Sequence, residues 1–209
     1  MPMHDLTPVV VDLRRDDSPE TLLSALSTTR PLVLVAGLGA QETLDWGAST
    51  KNLLRHPMPV TGVIHGRICG PAAGLFLACD VLHMTPRSSL RLTLSGHGEA
   101  VLLVLRLGHA AACRVWFSGG ELSAREAVRS GWADMERGSL AEALESARDR
   151  YEGLSSEAIA LLRPLMARQT GLPLVQAQAL ERAAFALVFD TGHPAEGVAA
   201  FLEKRKPRF

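Results

Sequence analysis

Apolar positions along this chain fall into two patterns. Short unbroken runs appear first. Val9-Val10-Val11-Asp12-Leu13 predicts a first strand, and Leu32-Val33-Leu34-Val35-Ala36 a buried parallel one. Val60-Thr61-Gly62-Val63-Ile64 predicts a third, and Val81-Leu82-His83-Met84 is a further apolar run. Ser89 to Leu94 alternates instead, with Leu90, Leu92 and Leu94 apolar, as in a half-exposed strand. Between and after these runs the period is helical. A turn at Arg14–Asp17 leads to Ser18-Pro19-Glu20, which reads as N-cap, first helical position and first-turn acid. That helix runs to about Ser27. Further helices are expected from Ala48 to Arg55, Glu99 to Leu107 and Ala110 to Phe117. Ser123-Ala124-Arg125-Glu126 and Ser139-Leu140-Ala141-Glu142 are capping boxes, with Gly131 as the C′ residue of the first helix. Helical segments follow over 155–169, interrupted near Pro164, then over 173–189 and from His193. Strand, helix, strand at the start and helices at the end place the chain in the α/β class.

The most informative stretch runs from Pro59 to Ser89. A buried strand feeds the loop His65-Gly66-Arg67-Ile68-Cys69-Gly70-Pro71. A helix-forming run of small and apolar residues, Ala72 to Cys79, follows and is closed by Asp80. Glycines there let backbone approach a ligand closely, and a helix start offers free N–H groups to a developing negative charge.

His65-Gly66, Gly70 and Ala78-Cys79-Asp80 stand at the spacing found in the crotonase (enoyl-CoA hydratase/isomerase) superfamily. The stretch Ser118-Gly119-Gly120-Glu121-Leu122-Ser123-Ala124-Arg125-Glu126-Ala127, followed by Gly131, resembles a second family segment. The tail from Glu196-Gly197 through Ala200-Phe201-Leu202-Glu203-Lys204-Arg205-Lys206-Pro207-Arg208-Phe209 resembles the family's C-terminus. The resemblance spans about Val9 to Phe209 and marks the chain as a short, catalytically divergent member. It implies a ClpP/crotonase fold: a repeated ββα-type core over 1–138 and a C-terminal helical trimerisation region over 139–209, in one structural domain. It also implies an acyl-CoA or carrier-bound acyl thioester as substrate, with coenzyme A entering only as part of that substrate and no other cofactor.

The chain has 209 residues, enough for one domain with a sizeable core, and 47% of them are hydrophobic. Lys plus Arg and Asp plus Glu each number 22, which argues against a nucleic-acid or membrane-surface partner. Met1-Pro2-Met3-His4-Asp5 lacks a basic, apolar leader pattern, and no apolar run approaches the ~20 residues of a membrane span. Cys69, Cys79 and Cys113 are odd in number and lack metal-type spacing, so they are expected to be buried thiols. These features together lead us to expect a soluble cytoplasmic protein.

Within the resemblance the chemistry departs from the usual pattern. The family binds a thioester oxygen between two backbone N–H groups, and one of them belongs to a glycine triplet. The matching residues here are Gly70, Pro71 and Ala72. Pro71 falls on the donor position and has no N–H. Ala72 supplies a donor if the helix start shifts slightly; otherwise the hole is incomplete. Gly37 to Pro57 is shorter than the family's connection and shows no segment like the one that carries the second donor. Hydratases of the family use two glutamates. Gly74 stands at the first position, and Leu90 to Ser95 contains no acid for the second.

Ser95-Gly96-His97-Gly98-Glu99 matches a family turn whose variable residue enters the acyl site; naphthoate synthases place a catalytic Asp there. His97 and Glu99 are therefore the candidate catalytic residues, since an imidazole can move protons near neutral pH. The same residues also suit a structural turn, with His97 capping it and Glu99 facing the helix dipole. His65 and His83 read as structural, and His4, His56, His109 and His193 form no metal-type pattern. Lys204 and Arg205, with Lys206 and Arg208, resemble the tail that helps hold the coenzyme A nucleotide; a solvated charged end is the alternative. By resemblance, the helices after Ser139 assemble a homotrimer or hexamer. Two readings follow. One is enolate chemistry of isomerase, dehydratase or decarboxylase type, with ordinary hydration disfavoured. The other is a non-catalytic homologue assisting a biosynthetic enzyme, as in dihydroxyphenylglycine and polyketide β-branching pathways.

Overall fold

A computed structural model describes residues 7–14, 19–37, 46–135 and 138–209. Ser18, most of the turn expected over 14–17, His4 and residues 38–45 of the shortened connection lie outside the described residues. In chain order the elements are β1 (Val9–Asp12), α1 (Pro19–Leu26), β2 (Leu32–Gly37), α2 (Trp46–Arg55), β3 (Val60–His65), β4 (Arg67–Cys69) and α3 (Pro71–Leu75). They continue with β5 (Val81–Met84), β6 (Ser89–Arg91), α4 (Glu99–Leu107), α5 (His109–Phe117), β7 (Glu121–Ser123), α6 (Ala124–Arg129) and β8 (Ala133–Met135). The last four are α7 (Leu140–Asp149), α8 (Ser156–Gln169), α9 (Leu174–Phe189) and α10 (His193–Leu202).

Two sheets result. β1-β2-β3-β5-β8 form a wholly parallel sheet, in which β1, β2, β3 and β5 are the expected apolar runs and β8, Ala133-Asp134-Met135, is a strand that the apolar pattern does not mark. A small second sheet, β4-β6-β7, pairs β4 with β6 in parallel and β6 with β7 antiparallel. Thus β3-β4-α3 and β5-β6-α4 are two ββα units, each sending its first strand to the large sheet and its second to the small one. The loop expected over 65–71 therefore contains a strand. Three residues between two glycines are too few to show a period. The helix expected over 72–79 also differs: α3 ends at Leu75, and Phe76–Ala78 is a 3-10 turn. The alternating strand is shorter than expected, and Leu94 lies outside it and exposed while Leu90 and Leu92 are buried.

The large sheet is covered on both faces. Leu32, Leu34, Val60, Ile64 and Leu82 face a core centred on Phe76, which is fully buried. Gly62 makes room for it: a Cβ there would stand 2.7 Å from Phe76 Cδ1 and 2.6 Å from Leu82 Cδ2. Val33, Val35 and Val63 face the other way, onto Ala143 and Ala147 of α7. On that side Thr61 and Tyr151 share a hydrogen bond of 2.5 Å. Buried His83 meets Arg150, which also pairs with Asp134. Both capping boxes are formed, and Gly131 follows α6 at φ 78°.

Asp80 joins three parts of the fold. Its carboxylate accepts from the Val60 N–H at 2.8 Å and from Arg163 Nε at 2.6 Å. Arg163 is buried in α8, and its other nitrogens donate to the carbonyls of Leu53 and His56 at the end of α2. Cys79 beside it is fully buried, and burial pushes its thiol well above the usual range, which makes it inert. Burial of all three cysteines does not hold: Cys69 is exposed and Cys113 half-buried. Cys69 ends β4, where side chains alternate between core and solvent, and Ile68 takes the inward position. No helix among the described residues is long and apolar enough to cross a membrane.

Candidate active site

The candidate site lies where Glu99, at the start of α4, reaches Gly74 of α3. Gly70 precedes α3 with φ 69° and ψ −152°, a backbone conformation essentially reserved for glycine. This conformation turns the chain from β4 into the helix. The N–H of Gly70 is taken by the Arg91 carbonyl at 3.2 Å, and Pro71, the first helical residue, has none. The N–H of Ala73 returns to the Gly70 carbonyl at 3.0 Å. Ala72 is left as the N–H of this segment that meets no acceptor among the described residues. Of the three residues singled out as an oxyanion hole, Ala72 alone has its donor available.

Gly74 lies two residues beyond Ala72 in α3. A Cβ on it would meet Glu99 of α4 at 3.1 Å from Cγ, 3.4 Å from Oε1 and 3.7 Å from Cδ. The acidic group absent from position 74 is thus present in space, delivered by the opposite helix.

The turn before α4 places it there. Gly96 and Gly98 take φ of 87° and 95°, which fold Ser95 and His97 back over the first turn of the helix. The Ser95 hydroxyl donates to Glu99 Oε1, and the His97 N–H donates to Glu99 Oε2 at 3.1 Å. His97 Nδ1 lies 3.2 Å from Ser95 Oγ and 3.7 Å from Glu99 Oε1. The Glu99 side chain is 3% exposed and that of His97 33%, so the ring meets solvent and the carboxylate does not. Burial raises the Glu99 carboxyl. Hydrogen bonds from the Ser95 hydroxyl and from the backbone at Glu99, His97 and Ser95 outweigh this and hold it below the usual carboxylate range. Glu99 is therefore a buried, ionised, well-held acceptor, and the His97 ring is the member of the pair that meets solvent.

Glu99, with His97 in the same turn, thus lies against Gly74 of α3, the short helix that Gly70, Pro71 and Ala72 open. Ser95 was not foreseen as part of the group; its spacing of four residues from Glu99 across a glycine turn was the available signal. Lys204 and Arg205 are placed otherwise. The Arg205 guanidinium pairs with Glu196 of α10 at 2.6 Å and 3.0 Å, and with Glu203 at 2.5 Å. Lys204 is exposed at φ 53°. The C-terminal residue Phe209 stacks on His193, whose Nδ1 is 2.9 Å from buried Glu157 and 2.8 Å from Ser155. His65 Nδ1 meets the Thr85 hydroxyl at 3.3 Å, in a network that ties Ser88 to the Ile64 carbonyl and the Gly66 N–H.

Two ββα units feeding two sheets, with Glu99 of α4 set against Gly74 of α3, are the frame of a known class. The family model described as enoyl-CoA hydratase/isomerase matches residues 38–209. The chain belongs to the enoyl-CoA hydratase/isomerase family of enzymes. Among relatives, a Thermus thermophilus protein described as a candidate enoyl-CoA hydratase is 32% identical over 187 residues, covering 84% of this chain and 74% of its own. A Bacillus subtilis protein, YhaR, described as a candidate enoyl-CoA hydratase/isomerase, is 32% identical over 178 residues, covering 78% and 66%. The crystal structure of an enoyl-CoA hydratase from Bacillus anthracis superimposes with a TM-score of 0.82 at 22% identity, covering 97% of this chain and 95% of that one. At that identity the likeness speaks for the fold.

Proposed function

We propose that this protein acts on an acyl-CoA or carrier-bound acyl thioester by stabilising its enolate, with no cofactor beyond the coenzyme A or carrier arm of the substrate. The observation that carries this reading is the contact between Glu99 and Gly74, which sets an ionised carboxylate, with His97 in the same turn, against the helix that carries the open N–H of Ala72 two residues earlier. In this reading the thioester oxygen accepts from Ala72. His97 takes the α-proton as the C–H bond breaks, and the electron pair moves onto the thioester oxygen. The proton returns to carbon as the enolate collapses. Glu99 stabilises the charged ring and holds the turn. Water addition by paired glutamates is disfavoured, because Gly74 carries no acid, Leu90 to Ser95 carries none, and the Glu99 oxygens are already hydrogen-bonded. Isomerase or lyase chemistry of isomerisation, dehydration or decarboxylation type remains consistent with the arrangement.

The test is exchange of the α-hydrogen in deuterated water, followed by mass spectrometry over a panel of acyl-CoA and acyl-carrier thioesters. Exchange in one or more thioesters supports the reading, and no exchange in any overturns it. Pro71 favours a second reading, a non-catalytic partner of a biosynthetic enzyme, since it removes a backbone donor at the family's position. That reading predicts no exchange by the protein alone and a rate increase when it is added to its pathway enzyme.

A further inference from the structure

We infer that Ser95 is a positioning residue that fixes which nitrogen of His97 carries the proton. A serine hydroxyl has one hydrogen and two lone pairs. Glu99 is ionised and can only accept, so the Ser95 hydrogen goes to Glu99 Oε1. The 3.2 Å contact between Ser95 Oγ and His97 Nδ1 must then run the other way, with Nδ1–H donating to the Ser95 oxygen. Glu99 Oε1 lies 3.7 Å from the same nitrogen, beyond hydrogen-bond reach, so the Ser95 oxygen is the acceptor that fixes the proton there. The neutral ring is thereby held as the Nδ1–H tautomer, and Nε2 is left as the unprotonated base. The backbone supports this arrangement, since the His97 N–H is bound to Glu99 Oε2 and both flanking glycines hold the turn closed. His97, Ser95 and Glu99 thus form a chain of donors that ends on a fixed negative charge. When Nε2 accepts a proton, the imidazolium already has its counter-charge in place, and no group needs to reorient.

The consequence for turnover rests on the thioester reading above, whereas the tautomer does not. The experiment keeps the two apart. Nitrogen-15 NMR of the full-length protein reports the tautomer of each neutral histidine, and loss of one signal in His97→Gln assigns the ring. The wild-type protein should show Nδ1–H at His97. Ser95→Ala should shift the ring toward Nε2–H, and Ser95→Thr, which keeps the hydroxyl, should restore Nδ1–H. Alongside, α-hydrogen exchange should fall at least tenfold in Ser95→Ala and recover in Ser95→Thr. An Nε2–H ring in the wild type, or an unchanged Nδ1–H ring in Ser95→Ala, overturns the assignment. The expected NMR pattern without exchange of any thioester sustains the role of Ser95 and overturns the thioester reading alone.

Discussion

Glu99 and Gly74 occupy complementary halves of one space: the Glu99 Cγ lies 3.1 Å from where a Gly74 Cβ would be. Gly74→Ala tests whether that space is used. Alanine suits a helix interior better than glycine by about 1 kcal/mol, so α3 itself should gain. A Cβ at this distance nevertheless forces the Glu99 side chain to move by a few tenths of an ångström, and with it the bonds to Ser95 and His97. We expect a melting temperature close to wild type together with a fall in α-hydrogen exchange of at least tenfold. Unchanged exchange would show that the position of Glu99 does not matter.

Hydration of crotonyl-CoA should be weak or absent. Gly74 offers no side chain, Leu90 to Ser95 offers no acid, and the Glu99 oxygens are committed to Ser95 and His97. A spectrophotometric assay that gave an ordinary hydratase rate would refute this.

His97→Ala should abolish most turnover while leaving the fold intact, because the ring lies at the surface of the turn. Loss of a general acid–base group costs about 10²–10⁴ in rate. Glu99→Gln should cost less, since Glu99 orients and charges the ring without meeting solvent. Full activity in a well-folded His97→Ala protein would remove the residue from the mechanism.

Acid should expose the contribution of Glu99 to stability. Its carboxyl is held below the usual range in the folded protein. Its stabilisation is therefore fully present above the unfolded carboxyl value of about 4.3, and is lost as pH falls through the lower folded value. Chemical unfolding of wild type and Glu99→Gln should differ most at neutral pH, and the gap should narrow as pH falls below about 4. A gap that stays constant with pH would contradict the ionised assignment.

Pro71→Gly adds an N–H next to that of Ala72. If the enolate oxygen lies there, the variant should bind acyl-CoA more tightly or speed α-hydrogen exchange. Glycine is less favourable at a first helical position, so a small loss of stability should accompany the gain. No change in binding or exchange would mean that Ala72 alone suffices or that no enolate forms.

Assembly is testable by light scattering. Leu174, Val175, Phe185, Phe189, Phe201 and Leu202 are exposed on α9 and α10, more apolar surface than an isolated chain ordinarily shows to water. We expect a homotrimer or a multiple of it at micromolar concentration, and a monomer would refute that.

Much of the fold is legible in residue order. Apolar runs mark four of the five strands of the large parallel sheet, because strands buried on both faces need no polar alternation; β8, Ala133-Asp134-Met135, is too short and too polar to show. The two capping boxes mark the starts of α6 and α7, since a cap depends on residues three apart. Local chemistry is equally visible: Pro71 lacks a donor and Gly74 lacks an acid whatever the fold around them. What the chain order cannot reveal is which distant groups meet. β4 is too short to show a period, and only pairing with β6 makes it a strand. The Gly70 N–H is lost to Arg91 in a neighbouring strand, which singles out Ala72. Arg163 reaches Asp80 across 83 positions, a pairing chosen by the packing of α8 and not by spacing. Glu99 reads in sequence as a helix-start acid. It meets α3 because Gly74, on that other helix, leaves room for its side chain. Periodicity records which face of an element is buried. The partner of that face is selected by tertiary packing, where volumes must be filled and buried polar groups matched.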